Sequence, residues 1–181
     1  MIKANFCLNC MTFGCYEEEI VIYEYSAFKG RKYFDKVDGG VYCLNCEDGG
    51  HIILSEINED VFEKIKDLYG DLPIENNPAS AFILLLAIAD YPKESRVRLY
   101  PIRYIPEGLF DEKMCREIEE GKPEVIVEAW IRILEDRISK NPEIAKAIER
   151  AIEDLSRVYP EENVRKVCKK MRNMLIRVVK R

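Results

Sequence analysis

The chain has 181 residues, of which 48% are hydrophobic and 34% are charged, and its formal net charge is −5. This length is sufficient for one full domain, or for a small module joined to a helical domain. The composition is typical of a globular protein, and the longest uncharged apolar run, residues 79–89, is shorter than the ~20 residues of a membrane span. We therefore expect no transmembrane segment.

The first part of the chain, residues 1–57, is predicted to form β structure. Residues 17–28 are rich in β-branched and aromatic side chains, and residues 31–37 resume an extended pattern after a turn signal. Glycine-containing turns and a short closing strand are predicted in the remainder, at residues 29–30, 38–40 and 51–54.

From residue 58 the apolar side chains recur with a helical period. Residues 61–69 carry one apolar stripe, and residues 78–90 are apolar nearly all round, which is typical of a central helix. Residues 96–105 alternate basic and apolar side chains and predict either a strand or an extended loop. Residues 111–120 predict a short acidic helix.

The C-terminal part of the chain is predicted to form three helices with short connections. Pro123 begins the first of them. Asn141 followed by Pro142 has the pattern of an N-cap and a first helical residue, and predicts that the second helix begins there. Pro160 separates it from a final helix that has an apolar stripe on one side and arginine and lysine over the rest.

The tetrapeptide Cys-Leu-Asn-Cys occurs twice and supplies four paired thiols, those of Cys7, Cys10, Cys43 and Cys46. A Cys-x-x-Cys turn places two sulfurs on the same side of a tight loop, and two such turns can form the tetrahedral set of a structural zinc site. A site with four cysteine ligands has no open position for catalysis. The same set also accepts iron, so the spacing predicts a metal but leaves zinc and iron as alternatives.

Around these cysteines, residues 1–57 resemble a zinc ribbon, the rubredoxin-like knuckle family that occurs in transcription, translation and many enzyme accessory domains. The resemblance implies that the four cysteines of the repeated tetrapeptide are the ligands. Many ribbons have glycine directly after the second cysteine of a knuckle, where this chain has Met11 and Glu47. We therefore predict an α+β fold, with an antiparallel β zinc ribbon at residues 1–57 and a mainly α-helical domain at residues 58–181, for which no family is recognised.

Two further side chains are candidate ligands because of their position. Cys15 and His51 each follow the second cysteine of a knuckle by five positions. Either one would replace a cysteine in the ligand set, or the two together would build a second site. The alternatives are a small buried thiol at the start of a strand and a strand histidine that is hydrogen-bonded or exposed. Cys115 and Cys168 are predicted to be ordinary buried residues on helices.

Charge is distributed unevenly along the chain. All 33 acidic side chains lie in residues 1–162, whereas residues 163–181 carry eight basic side chains and no acidic one. These cations would contact the phosphates of nucleic acid, lie on an anionic membrane, or cover the acidic body of the same protein or of another subunit in a homo-oligomer. The residues that we assign to a nucleic-acid interface are Arg165, Lys166, Lys169, Lys170 and Arg172.

The sequence carries no recognisable catalytic motif. It has one histidine, and it lacks a Ser-His-Asp set, a GxxxxGK[ST] phosphate loop, a GxGxxG turn after a strand and the paired motif of a zinc deaminase. We therefore expect no catalytic residues and a metal-stabilised, non-enzymatic binding protein whose partner is nucleic acid or a nucleoprotein complex. The alternatives are a protein–protein interaction or accessory module, and an enzyme or redox component with a rubredoxin-type iron site.

The cellular setting is predicted from composition alone. The N-terminus lacks the apolar stretch of a signal peptide, and paired cysteines hold metal where thiols stay reduced, so we expect a cytoplasmic protein. The chain is rich in Glu, Lys and Arg and contains no Gln, a bias that suggests a thermophile.

Overall fold

The computed structural model has an antiparallel sheet in its N-terminal part and helices after it, which confirms the predicted α+β class. The residues that the structure describes are 1–18, 21–23, 34–37, 40–47, 49, 51–73, 75–93, 96–99 and 108–179. The predicted turn at residues 29–30 lies outside them, as do parts of the extended segments predicted at 17–28 and 31–37.

The strands found in the described residues are β1 (Ile2–Cys7), β2 (Phe13–Glu18), β3 (Val21–Tyr23), β4 (Phe34–Val37), β5 (Gly40–Cys43), β6 (Ile52–Ile57) and β7 (Val97–Leu99). Five of them form one antiparallel sheet in the order β3-β2-β1-β6-β7, and β4 pairs with β5 in a separate antiparallel sheet. The closing strand predicted at residues 51–54 is therefore confirmed as β6, which begins one residue later and is longer.

The alternation of side chains in the central strands explains which face of the sheet meets the core. Ala4 and Phe6 on β1 and Ile57 on β6 are fully buried, and Ile53 on β6 is 6% exposed. Because successive side chains of a strand point to opposite faces, these residues share the face that packs on the helices.

The edge strand β7 comes from beyond the second helix of the chain. It pairs antiparallel with β6, with Val97 opposite Ile57. The segment predicted as strand or loop is thus a strand over residues 97–99, and its remainder, residues 100–105, lies outside the described part of the chain.

The helices found in the described residues are α1 (Glu59–Tyr69), α2 (Pro78–Asp90), α3 (Glu112–Glu119), α4 (Pro123–Lys140), α5 (Ile144–Val158) and α6 (Glu162–Val179). The central helix predicted at residues 78–90 is confirmed with the same bounds. Three helices begin at a side-chain N-cap, in which Asn58, Asn77 and Asp111 accept a hydrogen bond from a backbone N–H of the first turn.

The predicted N-cap at Asn141 is wrong. Helix α5 begins at Ile144, and Asn141 supplies its backbone carbonyl to the N–H of that residue at 3.2 Å. Its side-chain amide instead donates, at 2.9 Å, to the backbone carbonyl of Asn9, which is 132 residues away in sequence. The Asn141 side chain is therefore used in a tertiary hydrogen bond and does not cap helix α5.

Helix α2 is the centre of the hydrophobic core. All of its residues except Ala89 are buried, and it packs against α4, α5 and α6. The core is one continuous cluster that runs from Phe6 on β1 through Phe82 on α2 to Met171 on α6.

Among the described residues, no helix is both long and apolar enough to cross a bilayer. The division into a module of residues 1–57 and a domain of residues 58–181 stays a prediction.

Candidate metal centre

The two Cys-Leu-Asn-Cys turns, which we call the first and the second knuckle, follow β1 and β5 directly. In the first knuckle, the N–H of Met11 donates to the carbonyl of Cys7 at 2.8 Å, and the N–H of Cys7 donates to the carbonyl of Thr12 at 2.9 Å. These bonds close the turn, so its two cysteine side chains lie on the same side of the loop.

The structure brings the four sulfurs of the knuckles together. The Sγ atoms of Cys7, Cys10, Cys43 and Cys46 all lie within 4.8 Å of one another. The Sγ atoms of Cys7 and Cys46 are 3.5 Å apart, and those of Cys10 and Cys43 are 3.7 Å apart. Four thiolates bound tetrahedrally at about 2.3 Å from zinc would lie about 3.8 Å from one another. The spacing of the sulfurs therefore fits one tetrahedral ion.

The residue after each knuckle has a left-handed backbone conformation. Met11 has φ 54° and Glu47 has φ 55°. Glycine is the residue that adopts this conformation without strain, and it is what many zinc ribbons have at this position. The chain therefore forms the expected turn at both positions with residues that carry a Cβ.

Burial and hydrogen bonding act differently on the individual thiols. The Thr12 hydroxyl lies 3.0 Å from the Cys10 sulfur. Hydrogen bonds from the Cys43 and Cys7 thiols, and then from Thr12, hold the pKa of Cys10 far below its ordinary value, whereas hydrogen bonding to Cys10 and Cys43 together with burial raises the pKa of Cys7. Four thiols this close do not all ionise without a cation to balance their charge, and a bound metal ion supplies that cation.

The first knuckle is seated on the helical part of the molecule. Leu8 is 1% exposed and belongs to the main core. Backbone carbonyls of the knuckle and of the next residue accept hydrogen bonds from outside it, from the Asn141 side chain at 2.9 Å, the Asn76 N–H at 2.9 Å and the Ser80 hydroxyl at 3.2 Å. We call these three donors and the pocket around Leu8 the seat of the first knuckle.

The second knuckle has the same sequence but a different environment. Leu44 occupies the position of Leu8 and is 42% exposed. Asn45 and Glu47 are also exposed, and Cys46 is half-buried. One side of the sulfur cluster is therefore anchored in the core, and the other side is close to solvent.

His51 lies outside the group of four sulfurs and helps to hold the first knuckle. Its carbonyl accepts a hydrogen bond from the N–H of Leu8 at 2.9 Å, and its Nε2 lies 2.7 Å from Nη1 of Arg137. Because a guanidinium only donates, Nε2 is the acceptor in this contact. Arg137 is itself buried and is held by two hydrogen bonds to the carboxylate of Asp136.

The other cysteines have different positions. The backbone of Cys15 lies in β2 opposite Ala4, and its side chain is outside the described part of the structure. Ligation by Cys15 or His51 stays a prediction. Cys168 is buried on α6, as expected, and its thiol donates to the carbonyl of Ile152 at 3.8 Å. Cys115 on α3 is half-buried.

The basic residues of α6 lie on its solvent face. The five residues assigned to a nucleic-acid interface are all exposed, whereas Val164, Met171 and Met174 on the opposite side are fully buried. Lys166 is paired with Glu162 at 3.1 Å. The other four form no ion pair with any residue that the structure describes, and Arg172 donates to the Ser156 hydroxyl at 3.5 Å.

Thr12 and Asn141 contribute to this centre but were not predicted from the sequence. Thr12 is the only threonine of the chain and stands two positions after Cys10, which is the signal that identifies it in retrospect.

The chain matches no protein family, and neither the curated proteins nor the solved structures include one that is similar to it.

Proposed function

We propose that Cys7, Cys10, Cys43 and Cys46 hold one zinc ion as thiolates, in the manner of a zinc ribbon, and that the chain is a metal-stabilised binding protein. The observation that carries this proposal is the position of four sulfurs within 4.8 Å of one another. A thiolate set of this kind is typical of structural zinc, which adds directly to the free energy of folding.

A structural role for the ion is favoured over a catalytic one. Four protein ligands fill a tetrahedral zinc shell and leave no position for water or substrate. Cys7 and Cys43 are fully buried and Cys10 is 8% exposed, so the site is closed on three of its four sides.

Metal analysis and an absorption spectrum test this assignment. We expect the purified protein to be colourless and to contain stoichiometric zinc that is lost when the four cysteines are replaced by serine. A red protein with visible absorption bands would overturn it in favour of a rubredoxin-type iron centre and a role in electron transfer. A Cys115→Ser variant is the control, because that thiol lies outside the sulfur cluster.

We propose nucleic acid as the partner of the exposed face of α6. Three observations support this choice: the assigned cations are all exposed, four of the five lack an ion pair among the described residues, and the apolar side of the helix is already used in the core. Covering the acidic body of the same chain is the competing role. Among the residues that the structure describes, Arg177 is the one cation of α6 that pairs with another helix, at 3.8 Å from Glu135 on α4.

Binding to duplex DNA and to RNA at several salt concentrations tests the partner. Replacing Arg165, Lys169 and Lys170 by glutamine should lower affinity and reduce the slope of log K against log salt by up to about 2.7, since each phosphate contact contributes about 0.9. A control variant with Lys113, Arg132 and Lys146 replaced by glutamine has the same net charge and should keep the slope, because these exposed cations lie on other helices. Absence of binding at low salt, or equal effects of both variants, would refute the nucleic-acid role.

A further inference from the structure

Cys46 is the most exposed of the four clustered cysteines. Cys7 and Cys43 have no exposed surface and Cys10 has 8%, whereas Cys46 is half-buried. It lies in the second knuckle, whose Leu44 is 42% exposed. A small oxidant arriving from solvent therefore meets Cys46 first.

Two short sulfur–sulfur contacts of the cluster cross between the knuckles. Cys46 lies 3.5 Å from Cys7, and Cys43 lies 3.7 Å from Cys10. A disulfide bond has an S–S length of about 2.05 Å, so each of these pairs needs an approach of about 1.5 Å to form one. A more familiar outcome for Cys-x-x-Cys motifs is a disulfide within one turn.

We propose that the sulfur cluster is a site of reversible oxidation by hydroperoxides, in which Cys46 reacts first and Cys7 closes a disulfide with it across the knuckles. The inference rests on the proposed function, because it assumes that the cluster normally holds zinc.

The chemistry needs one peroxide for each disulfide. The Cys46 thiolate attacks one oxygen of hydrogen peroxide, the O–O bond breaks, and the departing hydroxide takes up a proton and leaves as water, so that Cys46 becomes a sulfenic acid. The Cys7 sulfur then attacks the sulfenic sulfur, the S–O bond breaks, and the hydroxide leaves with a proton as a second water. Two electrons have passed from two cysteines to the peroxide. A second peroxide joins Cys10 to Cys43 in the same way.

Oxidation removes the ligands of the metal. Once Cys7 and Cys46 are joined, only two thiolates remain, and zinc is released. Both disulfides would still link the knuckles, so the strands that carry them remain connected without the ion. A thiol reductant reverses the change and restores the site.

Peptide mapping distinguishes the two patterns of disulfides. Trypsin cuts after Lys3, Lys29, Lys36 and Lys64, so the first knuckle falls in peptide 4–29 and the second in peptide 37–64. The zinc-loaded protein is treated with hydrogen peroxide, alkylated and digested without reductant. We expect the two peptides to be joined, and fragmentation of the joined pair between the cysteines of each knuckle should place the links at Cys7–Cys46 and Cys10–Cys43. A Cys15→Ser background keeps the assignment clear because Cys15 shares the first peptide.

Zinc release, followed with a chromogenic chelator, is the second readout. Peroxide should release the bound zinc, and a thiol reductant should allow it to bind again. The Cys115→Ser variant should respond like the parent, whereas Cys46→Ser should no longer give the Cys7–Cys46 link. Separate peptides with disulfides inside each knuckle, or Cys46 recovered only as a sulfinic acid, would overturn the inference.

The two proposals fail differently. Protein that never contains zinc refutes the proposed function, while the mapping of its peptides still tests which thiols pair on oxidation. Protein that binds zinc but gives unlinked peptides after peroxide refutes only the oxidation site.

Discussion

Met11 and Glu47 stand at the same position of two identical knuckles and have the same left-handed backbone, with φ 54° and 55°, but Met11 is fully buried and Glu47 is exposed. The left-handed conformation is strained at both residues because each has a Cβ, which is absent in the glycine of many zinc ribbons. The backbone strain is therefore equal at the two sites, whereas the side chain is packed in the core only at Met11.

Replacing each residue by glycine should have opposite effects on stability. Glu47→Gly relieves backbone strain at an exposed site and should stabilise the protein by about 1 kcal/mol. Met11→Gly relieves the same strain but empties a buried position, and should destabilise it by about 2 kcal/mol or more. Urea unfolding of the metal-loaded variants measures both changes. Two stabilising changes would contradict the role assigned to burial of Met11, and two destabilising changes would contradict the strain at Glu47.

Leu8 and Leu44 offer a second matched pair. Leu8→Ala creates a cavity in the core beneath the first knuckle and should lower the free energy of unfolding by about 2–5 kcal/mol. Leu44→Ala changes a side chain that is 42% exposed and should have an effect within about 0.5 kcal/mol. Equal losses in the two variants would mean that the second knuckle is also covered in solution.

Removal of the metal should affect the two ends of the chain unequally. A chelator, or the Cys43→Ser change, should remove the zinc ion that we propose between the knuckles after β1 and β5, so the β signal in circular dichroism should fall. Much of the helical signal should persist, because α2, α5 and α6 pack on one another without the cysteines. The thermal midpoint of the helices should nevertheless drop, since Leu8 shares their core. Loss of all helical signal together with the β signal would refute the predicted boundary at residue 57.

The ion pair between Arg96 and Asp90 is expected to be the most sensitive of the paired charges. The Arg96 guanidinium donates two hydrogen bonds to the Asp90 carboxylate at 2.8 and 2.7 Å and lies 4.5 Å from the centre of the Tyr159 ring. The Asp90 side chain is 4% exposed, so Arg96→Ala leaves a buried carboxylate without its main cation and should destabilise the fold by about 3 kcal/mol.

The control for that variant is Arg98→Ala. Arg98 lies two residues further along the same segment, is 54% exposed and pairs with Glu56 at 3.6 Å. Its removal should change the free energy of unfolding by less than about 1 kcal/mol. Chemical denaturation compares the two, and similar losses would contradict the role assigned to burial of Asp90.

The helices were predictable because their signals are local, and the sulfur cluster was predictable because two Cys-x-x-Cys turns form a recognisable metal-binding motif although they are far apart in sequence. Pro78 and the uninterrupted apolar run after it predicted α2, and the spacing of two Cys-x-x-Cys turns predicted that four sulfurs would meet. The pairing of β7 with β6 and the hydrogen bond from Asn141 to Asn9 were not predictable, because they join segments far apart in sequence. At Asn141 the distant contact replaced the local one, and the helix begins at Ile144 instead.

The contacts of the first knuckle become possible at different times during translation. All four knuckle cysteines have been synthesised by residue 46, so they are able to meet around an ion early. The edge of the sheet needs residues 97–99, and the last donor of the seat is Asn141. A nascent chain with its knuckles already closed therefore holds the first knuckle without the hydrogen bond from Asn141 to the Asn9 carbonyl while nearly another hundred residues are added.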